Sequence, residues 1–168
     1  MSFTIYDASI VPMIRALNNL SKILDKAAAQ AKTEDKPLAA LIEAKLADDM
    51  RPLPFQIQSA SDAAKGCAAR LAGITAPSMP DTETTFPELQ ARIAKTVEFL
   101  NSVTRAQLDG AETREVVLKF PNGEMKFSGA DYVTNFALPN FFFHVTTAYA
   151  ILRHKGIAIG KMDFLGGV

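Results

Sequence analysis

Few residues in this sequence could do chemistry, because its 168 residues include only two histidines and one cysteine. His144 lies in a strongly apolar helical stretch, and Asn140, four residues earlier, shares its helix face. A partly buried imidazole and amide need hydrogen-bond partners, which could be each other, a ligand or a metal ion. The alternative is a core histidine that is hydrogen-bonded for structural reasons. Both residues are predicted to face the protein interior.

Asp49 and Gln56 are the other polar candidates, and they lie on either side of a break at Pro52 and Pro54. Asp49 could donate a carboxylate oxygen to a cation. It could equally be solvated, or cap the helix that follows the break. Gln56 is the weaker candidate of the two.

Several standard sites are excluded by the sequence. It contains no Cys/His spacing typical of structural zinc, no Walker A motif, no dinucleotide glycine fingerprint and no nucleophile elbow. A di-iron bundle would need paired Glu-x-x-His motifs, but Phe141 and Ile151 stand three residues before His144 and His154. Cys67 continues an apolar stripe and is predicted to be a buried small hydrophobe.

Composition narrows the class of protein. Eighteen basic residues balance eighteen acidic ones, which argues against a nucleic-acid partner because such proteins carry a basic surplus. The N-terminal residues do not resemble a signal peptide. The most apolar stretch, residues 132–152, is interrupted by Asn135, Pro139, Asn140 and His144, which suits a buried helix better than a membrane span. A soluble, cytoplasmic, single-domain protein spanning residues 1–168 is therefore expected.

Apolar periodicity predicts four main helices that would position these residues. The first starts near a cap at Asp7 or Ser9 and ends in the polar run 30–36. A second stripe begins at Leu38, breaks near 51–53 and ends near Gly73. A capping box at 85–88 opens the third helix.

The period then changes to that of strands. Residues 115–120 and 124–127 flank Pro121-Asn122-Gly123, which predicts a β-hairpin turning at Asn-Gly. Ser128 is predicted to cap a last long helix ending at Gly156, followed by an irregular tail over 157–168. The expected fold is all-α: a four-helix up-down bundle with a β-hairpin inserted before the last helix.

The motifs also resemble a known family. The stretch from His144 to Gly156 resembles the last helix of the DinB/YfiT-like superfamily, in which His-x-x-x-His precedes Leu-Arg-x-x-Gly. Asp49-Met50-Arg51-Pro52-Leu53, followed by Gln56 and by the tail motif 160–166, resembles more specifically DUF1993, an uncharacterised bacterial family of that superfamily.

The superfamily resemblance implies a divalent metal ion, zinc or nickel, held by three histidines, and thiol transfer in some members. By that resemblance Asn140 replaces the first histidine of the pair, and Asp49 is the nearest substitute for the ligand of the second helix. His144, Asn140 and Asp49 would supply one nitrogen and two oxygens, a poorer set for zinc or nickel than three imidazoles. Substoichiometric or no tightly bound metal is therefore expected.

Two functions follow from these residues, and whether the protein is an enzyme stays open. The leading hypothesis is a small-molecule binding or regulatory bundle with Asp49, Gln56, Asn140 and His144 around its pocket. The alternative is a divalent-metal-dependent hydrolase or thiol transferase that uses His144, Asn140 and Asp49. A homodimer is expected, because the superfamily's bundles commonly pair and the near-neutral charge offers little repulsion. No nucleic-acid or membrane partner is expected.

Overall fold

The computed structural model describes residues 3–167, and most of them lie in helices. The elements in chain order are α1 (Ile5–Thr33), α2 (Leu38–Ile42), α3 (Leu53–Ala72), α4 (Phe86–Ser102), a 3₁₀ turn (Arg105–Leu108), β1 (Glu115–Phe120), β2 (Gly123–Ser128), α5 (Gly129–Tyr132), a π-helical turn (Val133–Ala137), α6 (Leu138–His154) and α7 (Lys161–Leu165). None of these helices is both long and apolar enough to cross a membrane.

The four long helices enclose one apolar core. Helices α1 and α3 each pack on both α4 and α6. Their contact with each other is smaller than their contacts with those two helices. The largest buried side chains come mainly from α1 and α3, among them Met13, Leu17 and Ile57, and α6 adds Phe141. The structure confirms a mostly helical fold with a hairpin before the last long helix, whereas the up-down order of the helices stays a prediction.

Helix caps explain where the long helices begin. Thr4 is the N-cap of α1 and forms a capping box with Asp7, so the prediction of Asp7 or Ser9 as the cap is wrong. Asp7 lies in the first turn instead, where its carboxylate accepts from the orphan Thr4 N–H. The capping box predicted at Thr85 and Glu88 is confirmed at the start of α4.

The second predicted stripe is helical in two separate pieces. Only the five residues of α2 form a helix before the break, and residues 43–52 are irregular. The N–H of Leu53 donates to the Ala44 carbonyl at 3.1 Å, which closes this segment onto the start of α3. Helix α3 ends at Gly73, as predicted, and the φ of 67° there is one that glycine adopts without strain.

The hairpin forms where the strand pattern predicts it, but its turn is shifted by one residue. Strands β1 and β2 are antiparallel, with Val117 opposite Lys126 and Phe120 opposite Gly123. The two turn residues are therefore Pro121 and Asn122, and the expected turn at Asn-Gly is wrong. Proline pre-sets the φ angle of the first turn position, while Gly123, with a φ of 145°, pairs as the first residue of β2.

The last long helix contains an insertion. Ser128 caps it as predicted, accepting from the Asp131 N–H at 3.1 Å. Further along, the Leu138 N–H donates to the Val133 carbonyl, five residues back, in a π-helical turn that ends just before Pro139. Proline lacks the N–H needed for a regular helical hydrogen bond, and the wider turn lets the helix continue past Pro139.

The tail is partly helical, which corrects the prediction of an irregular segment. Helix α7 packs on α1, where Asn19 Nδ2 donates to the Phe164 carbonyl at 3.1 Å and Arg15 Nη2 donates to the Leu165 carbonyl at 2.8 Å. The Phe164 ring meets Tyr149 of α6 at 5.8 Å between centroids. These contacts are long-range, so a helix of five residues forms here that would not be stable alone.

Candidate functional site

A cavity of about 290 Å³ lies between α3, strand β1 and the α5–α6 helix, and we call it the His144 cavity. Its walls are partly apolar, with Phe120 and Phe136 among the lining residues. Its ionisable or amide-bearing lining residues are Asp62, Arg70, Lys119, Tyr132, Asn140 and His144. The cavity thus combines an imidazole, a guanidinium and aromatic surface in one place.

The orientation of the His144 ring is set by Gln56. The amide Nε2 of Gln56 donates to the Arg51 carbonyl at 2.9 Å, so its Oε1 is the acceptor facing His144. That oxygen lies 2.8 Å from Nδ1 of His144, and Gln56 is only 2% exposed. Since Oε1 can only accept, Nδ1 carries the proton in this hydrogen bond.

The neutral form of His144 is favoured by its surroundings. Burial lowers the pKa of this half-buried imidazole below its ordinary value of 6.5. The rings of Phe55 and Phe143 flank it edge-on at 6.0 and 5.2 Å. With Nδ1 protonated, Nε2 keeps its lone pair, and within residues 3–167 no group hydrogen-bonds to it. His144 can therefore accept a proton or a hydrogen bond from a bound molecule.

Arg70 and Tyr132 form the other end of the cavity. Nη1 of Arg70 donates to the Tyr132 hydroxyl at 3.0 Å, and its guanidinium lies 5.8 Å from the centre of that ring. Tyr132 is 1% exposed, and burial raises its pKa to about 12, so the phenol stays protonated at neutral pH. This end of the cavity carries a positive charge.

Asp62 is the one carboxylate in the cavity lining, and it is already paired. It accepts from Arg92 at 2.8 Å and from Lys65 at 3.0 Å. Two cations therefore offset its charge.

A larger cavity of about 720 Å³ lies between α4 and the loop over residues 77–83. Its central side chain, Arg92, is 1% exposed and binds Glu83 at 3.0 Å and Asp81 at 3.0 Å. Glu88, also in its lining, is used in the capping box of α4. We assign the candidate site to the smaller cavity, because the charge of Arg92, at the core of the larger one, is already compensated by carboxylates of the protein.

The structure brings together three of the four residues singled out from the sequence. Asn140 and His144 line the cavity, and Gln56 binds His144 from behind. Asp49 is exposed and is not part of the lining.

The sequence analysis missed the residues that α3 contributes. Ser59, Asp62, Gly66 and Arg70 recur three or four positions apart, following Gln56. These polar or small residues lie on one face of α3, and their spacing was the available signal.

The donor set does not fit the zinc or nickel site implied by the superfamily. His144 offers one nitrogen and Asn140 one amide, and Asp62 is held by two cations. In the part of the chain that the structure describes, no three residues among His, Cys, Asp and Glu are grouped to hold a metal ion. Zinc and nickel favour several imidazole or thiolate ligands, which this cavity lacks.

Comparison with known proteins places the chain in a family. The crystal structure of a DinB family member protein from Shewanella denitrificans, at 1.83 Å resolution, is 38% identical in sequence, with a TM-score of 0.91 over 98% of this chain and 93% of that chain. A search of curated proteins found no match. The family described as Domain of unknown function (DUF1993) matches residues 5–165. The chain has a DinB-like fold and belongs to the DUF1993 family.

Proposed function

We propose that this protein is a small-molecule binding or regulatory bundle whose ligand occupies the His144 cavity. The observation that carries the proposal is the neutral imidazole of His144, which Gln56 orients and which lies in a partly apolar cavity. Among the described residues, its Nε2 has no hydrogen-bond partner. A cavity of about 290 Å³ lies at the lower end of the sizes of ligand pockets, so the ligand is small.

The test compares His144→Ala with His154→Ala, because His154 is an exposed histidine on the same helix. Native mass spectrometry of the purified protein identifies any bound molecule, and titration calorimetry then measures its affinity. We expect His144→Ala to weaken binding about tenfold or more, since it removes a hydrogen bond inside a partly desolvated site. His154→Ala is expected to bind like the wild type. Equal binding by both variants would contradict the proposal.

The alternative is a divalent-metal-dependent hydrolase or thiol transferase. One observation favours it: Gln56 fixes the tautomer of His144 in the way that outer hydrogen bonds orient metal-ligating histidines. The ligand set His144, Asn140 and Asp49 has little support, because Asp49 is exposed and outside the cavity lining.

Metal content separates the two functions. We propose that protein purified without added metal contains less than one tightly bound zinc or nickel ion per chain. Elemental analysis checks this directly. One metal ion per chain in the wild type, lost in His144→Ala, would make the enzyme the leading hypothesis.

We also propose that the protein is a cytoplasmic homodimer. Large apolar side chains remain exposed near the cavity, among them Phe143 at 57% and Phe120 at 46%, and a second copy could cover them. The one cysteine, Cys67, is buried as a free thiol, which suits a reducing compartment. Light scattering that reports a mass of 18.2 kDa at high concentration would contradict the dimer. Cell fractionation tests the compartment.

A further inference from the structure

We propose that the ligand of the His144 cavity is a small organic anion with an apolar body, and that Arg70 binds its carboxylate group. The inference rests on the proposed function and adds the chemical class of the ligand and the residue that selects it.

The charge of Arg70 has no counter-charge among the described residues. One of its N–H groups donates to the neutral hydroxyl of Tyr132, and across residues 3–167 it forms no ion pair. The carboxylate that shares the cavity, Asp62, is held by Arg92 and Lys65. A guanidinium has five donors in a planar fork that matches a carboxylate. The remaining donors of Arg70 are therefore available to an anionic ligand.

The position of the Arg70 guanidinium depends on a glycine of the same helix, α3. Gly66 lies one turn before Arg70, and a Cβ atom there would collide with Arg70 Nη1. The missing side chain lets Arg70 fold back along its own helix onto the Tyr132 ring. Because Tyr132 is buried, the hydroxyl that receives this hydrogen bond is itself held in place. Arg70 is thus preorganised before a ligand arrives, which lowers the entropic cost of binding.

Aromatic rings next to this charge indicate an organic ligand rather than an inorganic ion. The rings of Tyr132 and Phe136 stack at 6.1 Å with an interplanar angle of 19°, and both residues line the cavity. Phe120 of β1 adds an exposed apolar side chain to the same lining. Flat apolar surface of this kind packs against a ring or chain, while the guanidinium binds its charged group.

The two ends of the cavity differ in the groups that they present. Gln56 binds His144 near one end, and Arg70 binds Tyr132 at the other, so α3 and the α5–α6 helix run antiparallel along it. Lining residues 59 to 70 of α3 span about 16 Å at the helical rise. The lone pair on His144 Nε2 disfavours a negative charge beside it, so the carboxylate lies at the Arg70 end.

Lys22 provides a control for charge. It is exposed on α1 and is not part of the cavity lining, and it forms no ion pair in the described part of the chain. Lys22→Gln therefore removes one positive charge from the protein, as Arg70→Gln does, without changing the cavity.

The experiment measures binding of matched carboxylate and amide pairs by titration calorimetry. The probes are benzoate and benzamide, cinnamate and cinnamamide, and 2-naphthoate and 2-naphthamide. We expect the wild type to bind at least one carboxylate about tenfold more tightly than its amide, the value of one charge-assisted hydrogen bond. Arg70→Gln is expected to abolish this preference, and Lys22→Gln to keep it.

Gly66→Ala tests the same site without changing a charge. Alanine is the better helix former, so the variant stays folded, but its methyl group displaces the Arg70 guanidinium. We expect it to reduce carboxylate affinity towards that of Arg70→Gln and to leave amide affinity unchanged.

The outcomes separate this inference from the proposed function. If the wild type binds the carboxylate and the amide equally, the anionic class is wrong, while small-molecule binding stands. A carboxylate preference that survives in Arg70→Gln would remove Arg70 as the anchor and overturn the inference. Failure of the wild type to bind any of the six probes would overturn the inference, and the proposed function would then depend on native mass spectrometry alone.

Discussion

Two regions of this protein bring charged and polar side chains together, and the partners of those side chains differ between the two. The first is the Arg92 cluster, formed by Arg92, Asp62, Asp81 and Glu83 between α3, α4 and the preceding loop. There a buried cation meets three carboxylates within 3.0 Å. The second is the His144 cavity, in which the imidazole is neutral and the one guanidinium binds a neutral hydroxyl.

The difference separates structural charges from charges available to a ligand. Removing one member of a buried ion pair is costly, because the others are left without compensation. The Arg92 cluster therefore holds the loop over 77–83 against the helices. In the His144 cavity, Nε2 of His144 and most donors of Arg70 have no partner in the described residues, so a ligand can bind them without breaking existing bonds. Asp62 belongs to both regions and connects them.

The largest effect is expected from Arg92→Met. This change leaves Asp62, Glu83 and Asp81 facing one another without the cation, and removes the hydrogen bond to the Pro80 carbonyl. We expect the free energy of unfolding to fall by about 3 kcal/mol, the lower end of the cost of breaking a buried ion pair, because Glu83 is largely buried whereas Asp62 and Asp81 reach solvent. Chemical denaturation measures it.

Lys95→Met on the exposed face of α4 is the matched control, and a change there of less than about 0.5 kcal/mol is expected. If Arg92→Met lowers the free energy of unfolding no more than the control does, the Arg92 cluster does not stabilise the fold.

A smaller loss is expected from Gln56→Leu. The substitution removes the acceptor of His144 Nδ1 and the donor to the Arg51 carbonyl. Leaving such groups unpaired costs about 1–3 kcal/mol in stability. In Gln56→Glu the acceptor oxygen remains and becomes charged, so the pKa of His144 should rise, as measured by NMR titration. An unchanged pKa in that variant would show that the contact does not set the ring's orientation.

A smaller effect is expected on the pH dependence of stability. The pKa of His144 lies below 6.5 in the folded state and near 6.5 when unfolded, so the unfolded chain binds more protons. Stability should therefore fall as the pH drops below about 6.5 towards the folded-state pKa. The midpoint of thermal unfolding, measured from pH 8 to 5, should fall less steeply in His144→Gln than in the wild type. Parallel curves would contradict a buried neutral imidazole.

The smallest effect is expected from Asp49→Asn. Asp49 is exposed and lies outside the cavity lining, so stability should change by less than about 0.5 kcal/mol. Affinity for the carboxylate probes should also stay unchanged. If this variant loses ligand or metal binding, Asp49 belongs to the site, and the His144 cavity as defined here does not contain all of the binding residues.

The sequence by itself determined the features that depend on neighbouring residues. The caps at Thr85 and Ser128, the end of α3 at Gly73 and the strands of the hairpin were all predicted, because each rests on groups within a few positions. The pairing of Asn140 and His144 on one helix face was predicted for the same reason. Local rules were less successful where two signals competed, as in the turn at Pro121.

Only the tertiary structure decided which distant residues share the site. Gln56 and His144 are 88 residues apart, and Arg70 and Tyr132 are 62 apart. These contacts depend on how α3 packs against the last helix, which periodicity does not specify beyond the buried face. Asp49, close in sequence to Gln56, is left at the surface because the chain from 43 to 52 does not continue as a helix. Spacing along one helix can be read from the sequence, but register between helices is set by the packing of the whole core.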